Sequence, residues 1–527
     1  MFVSKPKAPI SLFAQFPFTS PVFHSPKPCI HRIKRLHARI ITAGYGGDTH
    51  LTGQLLAAVA RSPSTPFQYS LSILRSTQSP SVFAINNLIR CFTKSDSPQE
   101  SLTLYSFMCK DGNFRPNNYT FTFLFQACCK FIGIVAGIQL HSHVIKLGFY
   151  EDVYVRNALI HLYFVFCENE CAHQMFDENS ECRDLVTWNV MMAGYVRAGR
   201  IDDVEKVFDK MPERDVISWS SLITGYVQNG YLEQGLNCFK KMMDFGLLPN
   251  EAILVTVLSA CAQLGLIEFA LQTHSIIDSL NCVMTIHIWT GLVDMYAKCG
   301  YIDKAWDLFD KMPHKDTSSW NVMIYGLATH GLGVEAVKLF KKFLIEGRTP
   351  VNVTFIGVLS ACSKVGLVDE GYLYFKLMTE MYGIDPEMEH YGCMVDLLAR
   401  AGLVTDAIDL VEKMPIPPDP VLWITILGAC RTHGLVELGE EIGQKLILKE
   451  PSCHGNYVQL SSIYANSQKW DDVVRTRGLI MGQNSKKVPG WSLIEAHGAI
   501  HQFFAGDRHH DQTIDICMML DRMNTMV

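Results

Sequence analysis

The sequence predicts an all-α protein in which pairs of helices stack into an extended solenoid. The first observation is an internal repeat, because residues 185–215 recur at an offset of 31, with Trp188 matched by Trp219 and Tyr195 by Tyr226. A fixed period of roughly 20–50 residues is typical of repeat arrays. The second observation is helical apolar spacing within each repeat. A lone helix pair cannot bury two apolar stripes, whereas stacked pairs can.

Each repeat contains two helices. Apolar residues follow Trp219 at i+3, i+4 and i+7, which is one stripe of an α-helix. Gly230 comes next and can adopt the positive φ that ends a helix. The second stripe begins at Val204 and ends before Pro212, which cannot continue a helix.

One degenerate repeat region occupies 31–81, and ten clear repeats form an array over 82–419. Only a few residues separate the predicted helices, as a stacked array requires. The repeats are 82–117, 118–152, 153–184, 185–215, 216–250, 251–285, 286–316, 317–351, 352–387 and 388–419.

Charge, cysteine content and hydropathy limit the classes of function that the chain can have. The formal net charge of −6 argues against a nucleic-acid binder held by phosphate contacts alone, so such a role would rest on base contacts and a local surface. The 17 cysteines form no framework, which predicts free thiols in a reducing compartment. No apolar run is long enough to predict a membrane span.

The N-terminal segment differs from the array. No Asp or Glu precedes Asp48, while Lys, Arg, Ser, Phe and Pro are frequent. Residues 1–30 are therefore interpreted as an organelle transit peptide, with a disordered tail as the alternative. Six prolines before residue 30 disfavour the amphipathic helix of a mitochondrial presequence, so chloroplast is slightly favoured over mitochondrion.

Several segments resemble plant pentatricopeptide repeat (PPR) proteins of the PLS subfamily, whose P, L and S repeats alternate in length. They include NALIHLYFVFC, GLVDMYAKCG, NVMIYGLATHG and EHYGCMVDLLARAG. The resemblance covers nearly everything after the transit peptide and implies a right-handed superhelical solenoid. Residues 420–487 resemble the TPR-like E motifs, and 488–527 resemble the E-plus segment. Alternating residues in 488–527 predict a small β-hairpin, followed by a helix over 513–523.

No catalytic site is predicted. Some family members continue into a DYW deaminase domain, which needs an H-x-E and a later C-x-x-C. Neither motif occurs, and the sequence ends before that domain would start. We therefore expect no enzymatic activity and no cofactor. No metal is expected either, because His497, His501 and the nearby 509–511 lack a complete ligand set.

The resemblance implies that each repeat reads one RNA base through its fifth and last residues, while its second residue sandwiches the base. Asn, Ser and Asp at these places are also ordinary helix caps, so each has a structural alternative. The pairs are Asn86 with Asn117, Thr122 with Asp152, Asn157 with Asp184, Asn189 with Asp215, Ser220 with Asn250, Thr290 with Asp316, and Asn321 with Val351.

By the family's code, Asn with Asp favours U, Asn with Asn favours a pyrimidine, Ser or Thr with Asn favours A, and Thr with Asp favours G. Repeats 251–285, 352–387 and 388–419 carry no usable code. The expected target, from 5′ to 3′, is pyrimidine, G, U, U, A, any, G, pyrimidine, any, any.

The expected function is that of a sequence-specific single-stranded RNA binder that specifies a C-to-U editing site in an organelle transcript. The E and E-plus region would recruit a DYW-type deaminase or other editing factors in trans. One alternative is an RNA stability or splicing factor without editing. Another is a protein-binding helical scaffold, which the polar fifth residues disfavour.

Overall fold

The computed structural model describes residues 22, 25, 28–45, 48–62, 67–76, 80–110, 114–178, 183–280, 284–481, 490–496, 499–504, 508, 510 and 512–524. These residues form 28 α-helices and one two-stranded sheet, which confirms the predicted all-α class. The predicted transit peptide lies almost wholly outside the described residues, as do His497 and two of residues 509–511.

The chain divides into two compact bodies, Met1–Leu248 and Pro249–Val527. The first body contains α1 (Ile30–Thr42), α2 (Thr49–Arg61), α3 (Phe67–Ser76), α4 (Val82–Lys94), α5 (Gln99–Lys110), α6 (Asn118–Phe131), α7 (Ile134–Lys146), α8 (Val153–Val165), α9 (Asn169–Asp177), α10 (Leu185–Arg197), α11 (Ile201–Lys210), α12 (Val216–Gln228) and α13 (Leu232–Asp244).

The second body begins with α14 (Glu251–Leu264), α15 (Ile267–Ser279), α16 (Ile286–Lys298), α17 (Ile302–Lys311), α18 (Thr317–Thr329), α19 (Gly333–Ile345), α20 (Asn352–Val365) and α21 (Val368–Lys376), which continues into a π-helical turn at Leu377–Met381. It goes on with α22 (Met388–Arg400), α23 (Val404–Lys413), α24 (Pro420–His433), α25 (Val436–Lys449), α26 (His454–Asn466) and α27 (Trp470–Met481).

Each repeat is a pair of antiparallel helices, which we call its first and second helix. Within each body the first helices of neighbouring repeats pack side by side, for example α4, α6, α8, α10 and α12. Within a body, second helices pack on their own first helix and, in most repeats, on the first helix that follows. In each body the core therefore lies between a layer of first helices and a layer of second helices.

Close packing between first helices depends on small residues. Gly194 of α10 lies against the ring of Phe164 at the end of α8, and a Cβ at Gly194 would be 2.1 Å from that ring. Hydrogen bonds also join successive repeats, since His173 Nδ1 lies 2.6 Å from the Tyr195 hydroxyl. Neighbouring repeats thus bury one another's apolar stripes, as the sequence pattern predicts.

The first helices begin at side-chain caps. Asp215 Oδ1 accepts hydrogen bonds from the backbone N–H and the hydroxyl of Ser218, both at 2.8 Å, and Asp316 caps α18 through Ser319 in the same way. Such caps satisfy N–H groups that an α-helix leaves unpaired. The last residue of a repeat is therefore also the cap of the next first helix.

The C-terminal segment contains the predicted hairpin. Strand β1 (Trp491–Ala496) pairs antiparallel with β2 (Ala499–Phe504), and Ser492 faces Phe503. Helix α28 (Thr513–Asn524) follows, so the expected hairpin and helix are both confirmed. Among the described residues, no helix is both long enough and apolar enough to cross a membrane.

Candidate nucleic-acid interface

In three repeats the amide of the fifth residue donates a hydrogen bond to the side chain of the last residue. We call 82–117, 153–184 and 185–215 the fifth-linked repeats. Here the structure brings the predicted pairs together. The Nδ2-to-Oδ1 distances are 2.9 Å from Asn86 to Asn117, 3.5 Å from Asn157 to Asp184, and 3.3 Å from Asn189 to Asp215.

The Asp215 carboxylate shows how such a pair is held. Burial raises its pKa, but hydrogen bonds from the backbone and hydroxyl of Ser218 and from the Asn189 amide outweigh burial, so the pKa lies below its ordinary value. Asp215 is therefore a charged acceptor at neutral pH. Its position is fixed from two sides, by the cap of α12 and by Asn189.

The fifth-linked repeats differ in whether the amide oxygen of the asparagine accepts a hydrogen bond. The Oδ1 atoms of Asn157 and Asn189 are buried and accept no hydrogen bond from any described residue. By contrast, Asn86 Oδ1 accepts from the Thr120 hydroxyl at 2.8 Å. A buried acceptor without a partner costs about 1–3 kcal/mol, and a donor on a bound ligand would remove that cost.

Three other repeats connect their last residue to their first residue instead. We call 118–152, 251–285 and 352–387 the first-linked repeats. Thr122 and Asp152 are therefore not hydrogen-bonded to each other, since the Thr122 hydroxyl donates to the backbone oxygen of Asn118 at 2.9 Å. The side-chain distances are 3.0 Å from Asn118 Nδ2 to Asp152 Oδ2, 2.7 Å from Thr285 Oγ1 to Glu251 Oε1, and 2.6 Å from Asn352 Nδ2 to Glu387 Oε1.

Two further predicted pairs are not linked by a described hydrogen bond. Ser220 is half-buried on α12 in the first body, whereas Asn250 belongs to the second body and caps α14 through an N–H at 3.0 Å. Thr290 is half-buried on α16, and Asp316 is engaged as the cap of α18.

In the last predicted pair the second residue is apolar. Asn321 is buried on α18, and its Oδ1 has no hydrogen-bond partner among the described residues. Val351 is exposed and only its backbone N–H donates a hydrogen bond, to the Thr354 hydroxyl at 3.0 Å. Asn321 therefore resembles Asn157 and Asn189 in its free acceptor, without an acidic neighbour.

The second residue of most first helices is exposed and apolar. These side chains are between 56% and 74% exposed, although apolar residues of this size are usually buried. In the first body they recur in five successive repeats, and such a row marks an interaction surface. The sequence reasoning named this position without its residues, which the repeat spacing would have located. They are Phe83, Tyr119, Tyr154, Val186 and Ile217 in the first body, and Val353 and Val421 in the second.

A row of exposed cations lies at the other end of the first helices, at the thirteenth residue of six repeats. Positive charge suits the C-terminal end of a helix, and an exposed row is also suited to a phosphate backbone. Asp294 and Asp396 partly neutralise two of them, at 2.8 and 3.0 Å. The net charge, on which the sequence prediction rested, does not reveal this row. The residues are Lys94, Lys130, Arg197, Lys298, Lys364 and Arg400.

A cation just before the last residue fixes the end of three short repeats. Arg214 stacks on the Phe208 ring at 4.7 Å from its centroid, and its Nε donates to the backbone oxygen of Phe208 at 3.1 Å. The same ring packs edge-on against Trp219, with centroids 4.8 Å apart. Arg183 on Phe176 and Lys315 on Phe309 repeat the contact. In each case the cation directly precedes the aspartate that caps the next first helix.

Family comparisons agree with the repeat architecture. The "PPR repeat" model matches 186–216, 217–247, 287–316, 318–347, 353–382 and 389–415, and the "PPR repeat family" model matches 80–130. The "E motif" model matches 433–495. In structure, maize PPR10 is similar with a TM-score of 0.53 at 17% identity, covering 86% of this chain and 76% of that chain, which supports the same fold.

Curated relatives come from Arabidopsis thaliana. The pentatricopeptide repeat-containing protein At5g66520 is 41% identical over 91% of this chain and 77% of its own length. At3g29230 is 34% identical over 93% and 92%, and At1g59720, named chloroplastic/mitochondrial, is 36% identical over 93% and 74%. Given this identity and coverage, together with the E motif, the chain belongs to the pentatricopeptide repeat family, in the PLS subfamily with an E motif.

Proposed function

We propose that this chain binds single-stranded RNA with sequence preference. The observation that carries the proposal is the row of exposed second residues, which lies on the same layer of first helices as the fifth-linked pairs. Stacking surfaces beside polar pairs are the two elements by which helical repeats address one base each. Maize PPR10 has been crystallised with an 18-nt psaJ RNA element, which brings RNA into the proposal as the ligand class.

Each base lies between the second residues of consecutive repeats, and its edge meets the fifth and last residues. Uracil offers an N–H donor between two carbonyl acceptors. The free Oδ1 of Asn157 or Asn189 accepts that donor, while the paired aspartate keeps the amide oriented. The preferred target remains the predicted string: pyrimidine, G, U, U, A, any, G, pyrimidine, any, any.

The bound RNA carries a cytidine that is edited to uridine, and the E and E-plus region recruits a DYW-type deaminase or other editing factors. The chain itself acts by positioning, because tethering raises the effective concentration of the catalyst at one base. The E motif match supports this role over an RNA stability or splicing role. Relatives named chloroplastic or mitochondrial support an organelle location, and the proline-rich start favours the chloroplast.

Fluorescence anisotropy with an RNA of the predicted string tests the binding. The Tyr154→Ala variant should bind more weakly by about 5- to 150-fold, since a stacked base contributes about 1–3 kcal/mol. The matched control is Ile145→Ala, which removes a similarly exposed apolar side chain from a second helix and should bind as the parent does. Equal affinity for a scrambled RNA, or no loss with Tyr154→Ala, would contradict the proposal.

Deep sequencing of organelle transcripts from a plant without this protein tests the editing role. One or a few C-to-U events should disappear, and the bases upstream of each should fit the string. If every editing event persists while the ends, splicing or abundance of a transcript change, the stability or splicing alternative replaces editing.

A further inference from the structure

An open cavity lies at the C-terminal ends of three consecutive first helices, where the repeat array meets the E motif region. It has a volume of about 620 Å³ and is lined by residues of α20, α22 and α24. Helices α20 and α22 belong to the last two repeats, whereas α24 (Pro420–His433) is the first helix after the array. Packed helices are about 10 Å apart, so these three helix ends span about 20 Å.

Positive charge predominates around this cavity. Its lining includes Lys364 on α20, Arg400 on α22 and Arg431 on α24, and Asp396 is the one acidic residue among the described lining residues. Lys364 and Arg431 are exposed. The Asp396 carboxylate is already engaged, since it accepts a hydrogen bond from the Ser363 hydroxyl at 2.5 Å and pairs with Arg400 at 3.0 Å. An anion that enters the cavity therefore meets two cations whose charge Asp396 does not neutralise.

A glycine leaves the cavity open, and a histidine joins two of its helices. A Cβ added at Gly428 would meet no atom within 4 Å. His433 Nε2 donates a hydrogen bond to the backbone oxygen of Ala399 at 3.0 Å, because a carbonyl oxygen can only accept. This bond connects the end of α24 to the end of α22, so the helix end that carries Arg431 is fixed relative to the one that carries Arg400.

The cavity lies where the row of exposed cations leaves the array. Lys364 and Arg400 are the thirteenth residues of the last two repeats, and Arg431 adds a cation one first helix further along the chain. In the proposed function the string is read 5′ to 3′ along the array. The nucleotides between the last repeat and the edited cytidine therefore come next to α24, and each of them carries a phosphate.

We propose that this cavity binds phosphate groups of the RNA just downstream of the predicted string, so that α24 contributes to RNA binding. This inference rests on the proposed RNA-binding function, which assigns the E and E-plus region to recruitment alone. Arg431 is the residue that distinguishes the two, because Lys364 and Arg400 belong to the array. Phosphate contacts carry no direct sequence information, so the downstream nucleotides strengthen binding without adding to the code.

The test compares three RNAs on the full chain by fluorescence anisotropy. The first RNA ends at the last base of the predicted string, the second continues for about four nucleotides at its 3′ end, and the third continues for about four abasic nucleotides, which keep the phosphates. Both extensions should raise affinity about tenfold at about 50 mM salt. With two phosphate contacts, at a slope of about 0.7 each, this gain should fall about sevenfold at about 200 mM salt.

Three variants assign the gain to the cavity. Arg431→Gln should reduce it to about threefold, since one of two phosphate contacts is lost, and Arg431→Lys, which keeps the charge, should retain most of it. The matched control is Lys449→Gln, which removes the same charge from the C-terminal end of α25, a second helix after the array. This control should leave the gain unchanged.

Three outcomes would overturn the inference. If neither extension raises affinity, the downstream nucleotides do not reach the cavity. If only the extension with bases raises it, bases rather than phosphates are bound. If Arg431→Gln keeps the full gain, Arg431 serves at most to stabilise the end of α24, which a lowered denaturation midpoint would show. In all three cases the first RNA still binds more tightly than its scrambled form. If it does not, the RNA-binding function itself fails.

Discussion

Fifth-linked and first-linked repeats have the same helix-pair fold but connect their last residue differently. In the fifth-linked repeat 185–215, Asp215 is bonded to Asn189 in the middle of the first helix. In the first-linked repeat 118–152, Asp152 is bonded to Asn118 at the start of the first helix. An aspartate at the same place in the sequence therefore has a different partner.

Residue types at the fifth and last places therefore do not by themselves determine whether the two side chains meet. In 185–215 the stack of Arg214 on Phe208 precedes the aspartate, whereas Glu151, paired with Arg156 at 2.9 Å, precedes Asp152. In 185–215 the carboxylate is 3.3 Å from the amide of the fifth residue, Asn189. In 118–152 the fifth residue, Thr122, is bonded to the backbone of its own helix. We expect fifth-linked repeats to select bases strongly and first-linked repeats weakly.

The largest expected effect is on the stability of the first helix that follows each kind of repeat. Trp219 follows a fifth-linked repeat and is only 5% exposed, whereas Trp289, also the fourth residue of its repeat, follows a first-linked repeat and is half-buried. Trp219→Ala should lower the local free energy of opening by about 3–5 kcal/mol, and Trp289→Ala by less than half as much. Hydrogen exchange of helix amides measures this, because a repeat array need not unfold in one step. Equal losses would contradict the comparison.

The next effect concerns base selection. Asn189→Ser should shift the preference at its base from U towards G, with a change in discrimination of about 1–3 kcal/mol. Thr122→Asn is the matched change in a first-linked repeat and should alter selectivity much less, since Asp152 is held by Asn118. A binding series with all four bases at each position measures both. If the two variants change selectivity equally, first-linked repeats read bases in the same way.

A smaller effect is expected from the cation that positions Asp215. Arg214→Ala removes the stack on Phe208 and two hydrogen bonds to backbone oxygens, and should reduce stability by about 1 kcal/mol. Selectivity at the base facing Asn189 should fall a few-fold as Asp215 loses its orientation. Lys210→Ala removes the same charge from an exposed site nearby and should change neither quantity. Unchanged selectivity in Arg214→Ala would show that the cap alone orients Asp215.

The smallest effect is on how stability depends on pH. It involves His161, which contacts the first-linked repeat before it and the fifth-linked repeat after it. His161 lies 3.6 Å from Cys129 Sγ and 3.2 Å from Arg197, and burial, then the Arg197 charge, lowers its pKa below 6.5. The unfolded chain therefore binds more protons than the folded chain just below pH 6.5, so stability decreases as pH falls through that value. His161→Gln should flatten this decrease in denaturation midpoints. An unchanged slope would assign the decrease to other groups, such as His141, whose pKa burial also lowers.

Much of the site was predictable from residue order alone. Fifth and last residues are defined by counting within a repeat, and the structure links three of the seven predicted pairs by hydrogen bonds. The positions of the exposed second residues could have been predicted in the same way, by counting from the start of each repeat. The stack of Arg214 on Phe208 was not, because it depends on how the end of one repeat packs against the next.

Residue patterns along the chain are enough to predict the all-α class, the terminal hairpin and the helix after it. The physical reason is that apolar periodicity, helix-stopping residues and strand alternation are local signals. The tertiary structure was needed to show which side chain each last residue bonds, which asparagine oxygens have no partner among the described residues, and where a cavity opens beside Arg431. Those features depend on distances of a few ångströms between residues about 30 positions apart, and these distances are set by packing between neighbouring repeats.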